Sequence, residues 1–318
     1  MTFVMRCFSL SLLIAGNLLL PGSAGLTQET PCDPCVDPPV PEPPGLPLPG
    51  RGLVVTTDEI GNPPVETRYF RIHGNFDALV VPVEELGRLL DEIHEYVDAR
   101  VVALDRMASG GDRAVSVASG GTIGPADFID LGGGKINLVI ASPAAAGSAF
   151  DCPQRGAAVL DRLIIYADST TSLTQLLGVA AHEVGHALTF ERVGVVHVHA
   201  GLIVIEGLAT WAAGDYVTDW YGIPSLEAAV RSYIEDGSYI SLTQPIGANY
   251  SVASDAGAPP ATTAACHARR DLLYTQWGAF VGFLLGDQGP DSRDLATLDR
   301  RYLGELEGRW LDRLGTDD

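Results

Sequence analysis

The chain has 318 residues, 46% hydrophobic and 19% charged, so it can bury a sizeable core and is not disordered throughout. Forty acids against 20 bases give a formal charge of −20, which argues against nucleic acid or an anionic membrane surface as partner, because both favour the opposite sign. The 36 glycines, the 21 prolines and the near absence of lysine (Lys135 alone) read as coding bias rather than as a functional signal.

Residues 1–24 read as an export signal. Arg6 supplies a positive charge, the apolar run from Phe8 to Leu20 is too short to span a bilayer, and Gly22-Ser23-Ala24 suits a cut after Ala24. Retention of this segment as an anchor is the alternative. No later segment reads as a membrane span, which gives an exported protein: secreted, periplasmic or held at the cell surface. Past Cys7 remain Cys32, Cys35, Cys152 and Cys266, an even set that permits two disulfides in an oxidising compartment. Three pairings are possible; the preferred one joins Cys32 to Cys35 and Cys152 to Cys266. Residues 25–50 form a Pro-rich linker with few large apolar groups, suited to extended polyproline geometry rather than to a core.

The remaining residues, 51–318, read as one α+β domain, a mixed α/β sheet part (51–168) followed by a mainly helical part (169–318). Strands are predicted at 53–57 and 67–72 from β-branched and aromatic residues. Pro82 then opens a helix in which Val83, Leu86, Leu90, Ile93, Val97, Val101 and Leu104 share one face. Further strands are predicted at 114–118, 135–142 and 160–167. Ser169, Thr171 or Ser172 can cap a helix running to about Arg192, and Gly194 closes it. A second helix is expected over 202–217 and a third after Pro224-Ser225. Residues 238–265 read as loop, and two or three helices fill the chain from Arg269 onward.

Chemistry concentrates in His182-Glu183-Val184-Gly185-His186. Histidines at i and i+4 lie on one helix face and can reach the same metal ion. Glu183 projects beside them, placed to take a proton from water rather than to ligate. A third protein ligand is required, and Glu206 is the candidate. It stands alone in the apolar run Leu202-Ile203-Val204-Ile205, where a buried carboxylate needs a cation. A turn near 194–201 would return its helix antiparallel to the first, with Gly207 and Ala209 permitting close approach. The metal read from this ligand set is one Zn²⁺ per chain, bound by His182, His186 and Glu206.

The pattern His182-Glu183-x-x-His186 followed by Glu206-Gly-x-Ala-x-Trp211 resembles the gluzincin zinc metallopeptidases, particularly their peptidase-MA-like branch. The run from Tyr274 through Gly278 and Phe280 to Phe283-Leu284 resembles a later segment of that branch. The resemblance implies a zincin-like fold with the active site on the HExxH helix between the two parts. It also implies hydrolysis of peptide or protein substrates, with Glu183 as general base and Tyr274 as the hydroxyl that stabilises the oxyanion. Thr189 and Arg192 stand where a metzincin continues its motif, no Gly-x-Met-x-Asn strand is present, and Thr210 occupies the place of an Asp in the thermolysin branch. Asp215 or Asp219 could replace that Asp. His197, His199, His267 and Tyr250 are further candidates for the site, while the four tryptophans read as core. A catalytically silent zinc-binding module of the same fold, acting as a surface interaction protein, is the alternative function.

Overall fold

The apolar spacing that predicts the first helix is realised in the computed structural model, where α1 spans Val83–Val101 and ends in a 3-10 turn over Val102–Leu104. The structure describes residues 63–74, 76–77, 79–104, 115–116, 122–123, 134–146, 152–159, 162–193, 202–246, 262–286 and 300–316. The export signal, the linker with Cys32 and Cys35, the strand at 53–57, His197, His199 and Tyr250 lie outside these residues. Leu86, Leu90, Ile93 and Val97 are fully buried, while on the outer face Arg88 pairs with Glu85 at 2.7 Å and with Glu92.

Asp91 of this helix accepts from the Thr67 hydroxyl at 2.6 Å and from the N–H groups of Arg68 and Tyr69 at 3.1 Å. Those bonds hold 67–69 as a turn between β1 (Val65–Glu66) and β2 (Phe70–Gly74), so the strand predicted at 67–72 begins at Phe70. Of the strand predicted at 114–118 the described residues form β3 (Val115–Ser116), paired antiparallel with β4 (Thr122–Ile123). The prediction at 135–142 corresponds to β5 (Ile136–Ala141). The segment predicted at 160–167 holds β7 (Arg162–Tyr166), and β6 (Gly156–Val159) precedes it unannounced. Gly-Ala-Ala-Val has no polar–apolar alternation to mark it as a strand.

Five of these strands form one sheet in the order β1-β2-β5-β7-β6, and β3 and β4 form a separate pair. β2, β5 and β7 run parallel, and antiparallel β1 and β6 form the two edges. The middle strands are buried almost throughout, as expected where helices cover a sheet.

Ser172 proves to be the cap of the next helix, its Oγ accepting from Gln175 N–H at 3.2 Å to start α2 (Leu173–Val193). The single helix predicted over 202–217 is two: α3 (Leu202–Ala213) and α4 (Asp215–Tyr221), separated by Gly214 at φ +49°. A Cβ at Gly214 would collide with the Tyr96 hydroxyl, and Arg100 donates to the Trp211 carbonyl at 2.8 Å. Side chains of α1 therefore terminate α3. Ser225 caps α5 (Leu226–Glu235), accepting from Ala228 N–H at 3.0 Å. Thr262 caps α6 (Thr263–Leu285), so the predicted loop ends earlier and this helix starts before Arg269. The last described helix is α7 (Arg300–Thr316). The sheet-rich part thus precedes the helical part as predicted. Among the described residues no helix is long and apolar enough to cross a membrane.

Packing puts α2 at the centre, against α1, α3 and α4 on the helical side and against β6 and β7 of the sheet. Helix α3 lies between α2 and α6. Cys152 and Cys266 are joined in a disulfide with Cα atoms 5.6 Å apart, tying the approach to β6 to the first turn of α6. The bridge spans 114 residues of sequence. A Cys152→Ser/Cys266→Ser double substitution should lower the unfolding free energy by up to about 5 kcal/mol, the chain-entropy value for so long a loop. Denaturant titration checks this, and an unchanged midpoint would deny the bridge a stabilising role.

Candidate metal centre

The i, i+4 spacing on α2 sets the His182 and His186 rings 4.7 Å apart, both nearly buried. Helix α3 returns antiparallel, since Ala209 lies against Gly185 and Thr210 against His182. A Cβ on Gly185 would come within 2.9 Å of the Ala209 carbonyl oxygen, so the HExxH glycine permits this approach. Gly207, expected to face α2, instead packs on Trp277 of α6, where a Cβ would meet the Trp277 carbonyl oxygen at 2.7 Å. The two small residues of the expectation thus serve different neighbours, one on each side of α3.

Close helix packing delivers Glu206 to the histidines. Its Oε2 stands 3.1 Å from His182 Nε2 and 3.3 Å from His186 Nε2, and the three donor atoms lie within 4.8 Å of one another. Ligands on a tetrahedral ion at 2.0–2.1 Å are separated by ~3.3 Å, and with its donor atoms this close the group could hold a metal ion. Electrostatics agree. Burial by itself would lift the Glu206 carboxyl, but His186 and His182 outweigh it and hold the group below the usual carboxylate range. Burial pulls His182 down, keeping its imidazole neutral and its lone pair available. His186 is drawn down by burial too, yet the carboxylates of Glu206 and Glu183 more than compensate and its net shift is upward.

The outer shell of His182 is supplied by Thr210, not by Asp215 or Asp219. The fully buried Thr210 hydroxyl lies 3.3 Å from His182 Nδ1. For Nε2 to ligate, the ring proton must sit on Nδ1, and Thr210 Oγ1 is the acceptor that holds it there. Tyr274 stacks on the same imidazole, with ring centroids 5.2 Å apart, and Phe190 stacks on His186 at 5.9 Å.

Glu183 is buried at the edge of the same cavity, and burial pushes its carboxyl up to about 8 against the opposing pull of His186 and Arg270. Gly156 of β6 sits directly over it: a Cβ there would lie 2.5 Å from Glu183 Oε1. The cavity, about 130 Å³, is walled by 154–158 from the approach to β6 and β6 itself, by the histidine face of α2, by Trp220 and Tyr221, and by Arg270 and Tyr274 of α6. It has room for several waters or for part of a peptide.

His182, His186, Glu206, Glu183 and Tyr274 therefore meet in one cavity. His267 does not line it; its Nε2 stands 2.9 Å from the Pro153 carbonyl oxygen, a strut between α6 and the approach to β6. Trp277 and Trp310 are core, as expected, but Trp220 lines the cavity with the Arg155 guanidinium 4.8 Å above its ring. Sequence reasoning passed over Arg155, Gly156 and Arg270. For Arg270 a signal existed: it precedes Tyr274 by one helical turn and shares its face. For Gly156 none did, because its role is a contact with a distant helix. Comparison with family models, with curated proteins and with solved structures finds no match.

Thr210→Val keeps the shape and removes the acceptor. It should weaken any metal binding at this site by about 10–100-fold while the fold persists, as measured by chelator competition and circular dichroism. Unchanged affinity would show that Thr210 only fills space.

Proposed function

We propose that this chain is an exported zinc-dependent peptidase of the gluzincin type, with a zincin-like fold. The observation that carries this reading is the convergence of His182, His186 and Glu206 beside Glu183 in a cavity that opens on a sheet edge. His182, His186 and Glu206 would hold a zinc ion, which would supply a Lewis acid to acidify water and polarise a carbonyl.

The remaining steps fall to the chain's own groups. Among the described residues no strand pairs with the outer edge of β6, so an extended peptide can add to it by backbone hydrogen bonds. Gly156, lacking a side chain, lets the β6 backbone itself lie close over Glu183. A Glu183 carboxylate oxygen accepts a proton as water attacks the peptide carbon and the new C–O bond forms. The same carboxyl then delivers that proton to the amine nitrogen as the C–N bond breaks. Glu183 would be held in its ionised form, as a base requires, by the charge of a cation bound to His182, His186 and Glu206. The Tyr274 hydroxyl donates to the carbonyl oxygen as charge grows there. The disulfide Cys152–Cys266 is compatible with an oxidising compartment and thus with export.

Elemental analysis and a peptide-library digest test the reading together. One zinc per chain with hydrolysis supports it; zinc without hydrolysis would favour the silent binding module, and folded protein that takes up no zinc would end both. Glu183→Gln should retain zinc and abolish turnover, because the amide keeps the shape and cannot accept the proton; turnover within about tenfold of the parent would remove Glu183 from the role of base. Tyr274→Phe preserves the stacking ring and removes the donor. It should leave zinc and KM nearly unchanged while kcat falls by ~10²–10³, whereas a silent substitution would make Tyr274 a packing residue alone.

A further inference from the structure

Arg270 is a buried guanidinium that the hydrolytic steps leave unused. It is 6% exposed, lies on α6 and lines the cavity. Its Nη1 donates to the Pro153 carbonyl oxygen at 3.2 Å, the same oxygen that His267 approaches. That bond fixes the guanidinium beside the approach to β6. Its neighbour Asp271 is engaged by Arg155, whose Nη1 donates to the two carboxylate oxygens at 2.7 and 3.0 Å, while Arg270 Nε stands 3.9 Å away. Among the described residues, the groups lining or bordering the cavity beyond the proposed metal shell and Glu183 include the guanidiniums of Arg155 and Arg270 and the carboxylate of Asp271. A divalent ion would itself be matched by Glu183 and Glu206. The loaded cavity is therefore positive inside a chain of formal charge −20, a field that draws an anionic group inward from an otherwise repelling surface.

We propose that Arg270 receives a carboxylate of the substrate, so that the preferred class is peptides presenting a free C-terminus or an acidic side chain next to the cleaved bond; this deepens the peptidase reading and rests on it. Residues four apart on a helix have Cβ atoms roughly 5–6 Å apart. Tyr274 stacks on His182, so Arg270 stands one turn further along the cavity wall. Consecutive residues of an extended peptide advance by ~3.3–3.6 Å. With a scissile carbonyl at the metal side, the long Arg270 side chain reaches the carboxylate of the following residue. A guanidinium fork donates to two carboxylate oxygens in one plane, whereas a carboxamide offers one acceptor and no charge.

The test compares zinc-loaded protein on paired peptides. One pair differs only in a free or amidated C-terminus; a second, amidated pair carries Glu or Gln beside the cleaved bond. The free acid, the Glu peptide, or both should be cleaved with kcat/KM about 10²-fold above the neutral twin, and whichever pair discriminates identifies the source of the carboxylate. Arg270→Met should bring acid and neutral peptide to within about threefold while zinc content stays at one per chain. Calorimetry with zinc-loaded Glu183→Gln gives a readout independent of turnover, using N-acetyl-trialanine and N-acetyl-Ala-Ala-Glu amide beside the neutral twins, N-acetyl-trialanine amide and N-acetyl-Ala-Ala-Gln amide. Hydrolysis of all peptides without acid preference would overturn the proposal and leave the peptidase reading intact. Acid-selective binding without hydrolysis of any peptide would support Arg270 and overturn the peptidase reading. If Arg270→Met fails to fold, the parent comparison still decides, because equal handling of acid and neutral twins refutes a carboxylate site by itself. Acid preference that survives in folded Arg270→Met would assign the carboxylate to another group.

Discussion

A carboxylate buried among apolar residues is the constraint on which this structure turns. Glu206 sits on α3, a helix whose other residues are almost all hydrophobic, and ionised it is costly unless opposite charge stands close by. Two imidazole nitrogens at 3.1 and 3.3 Å begin to meet that need, and a cation would complete it. The contact forms only because Gly185 lets Ala209 approach α2. Binding of a metal there would be coupled to the docking of α3, because the ligand set is complete only when α3 is packed on α2.

The second organising feature is the fastening of the sheet edge to α6. The disulfide joins their approaches, the Pro153 carbonyl faces both His267 and Arg270, and Arg155 pairs with Asp271. Cross-links so concentrated hold β6 across the cavity mouth, where Gly156 and Glu183 meet. An edge strand is ordinarily a hazard for unwanted pairing. Here it is short, pairs with β7 alone among the described residues, and is pinned at its start.

Outer-shell chemistry follows from the packing of α3 rather than from an acidic residue. Thr210 is completely buried and serves His182 with a neutral hydroxyl. A carboxylate at that position would add a further negative charge beside Glu206 and Glu183. The neutral hydroxyl lies against the imidazole without adding that charge.

Much of this was legible from local spacing. The i, i+4 histidines, the isolated acid at Glu206, the stripe from Val83 to Leu104 and the caps at Ser172 and Ser225 are properties of short segments, governed by helix geometry and by hydrogen bonds within a few residues. The sequence likewise determined the preference for joining Cys152 to Cys266, through their number and their place in the folded part. Tertiary structure alone decided the rest, because each remaining feature depends on groups far apart in the chain. Gly156 is set by a helix it touches across the sheet edge, and the break at Gly214 by Tyr96 and Arg100 of α1. The turn at 67–69 depends on Asp91, and the setting of Arg270 on the Pro153 carbonyl. Local pattern specifies which face a residue shares; only the packed fold specifies what that face meets.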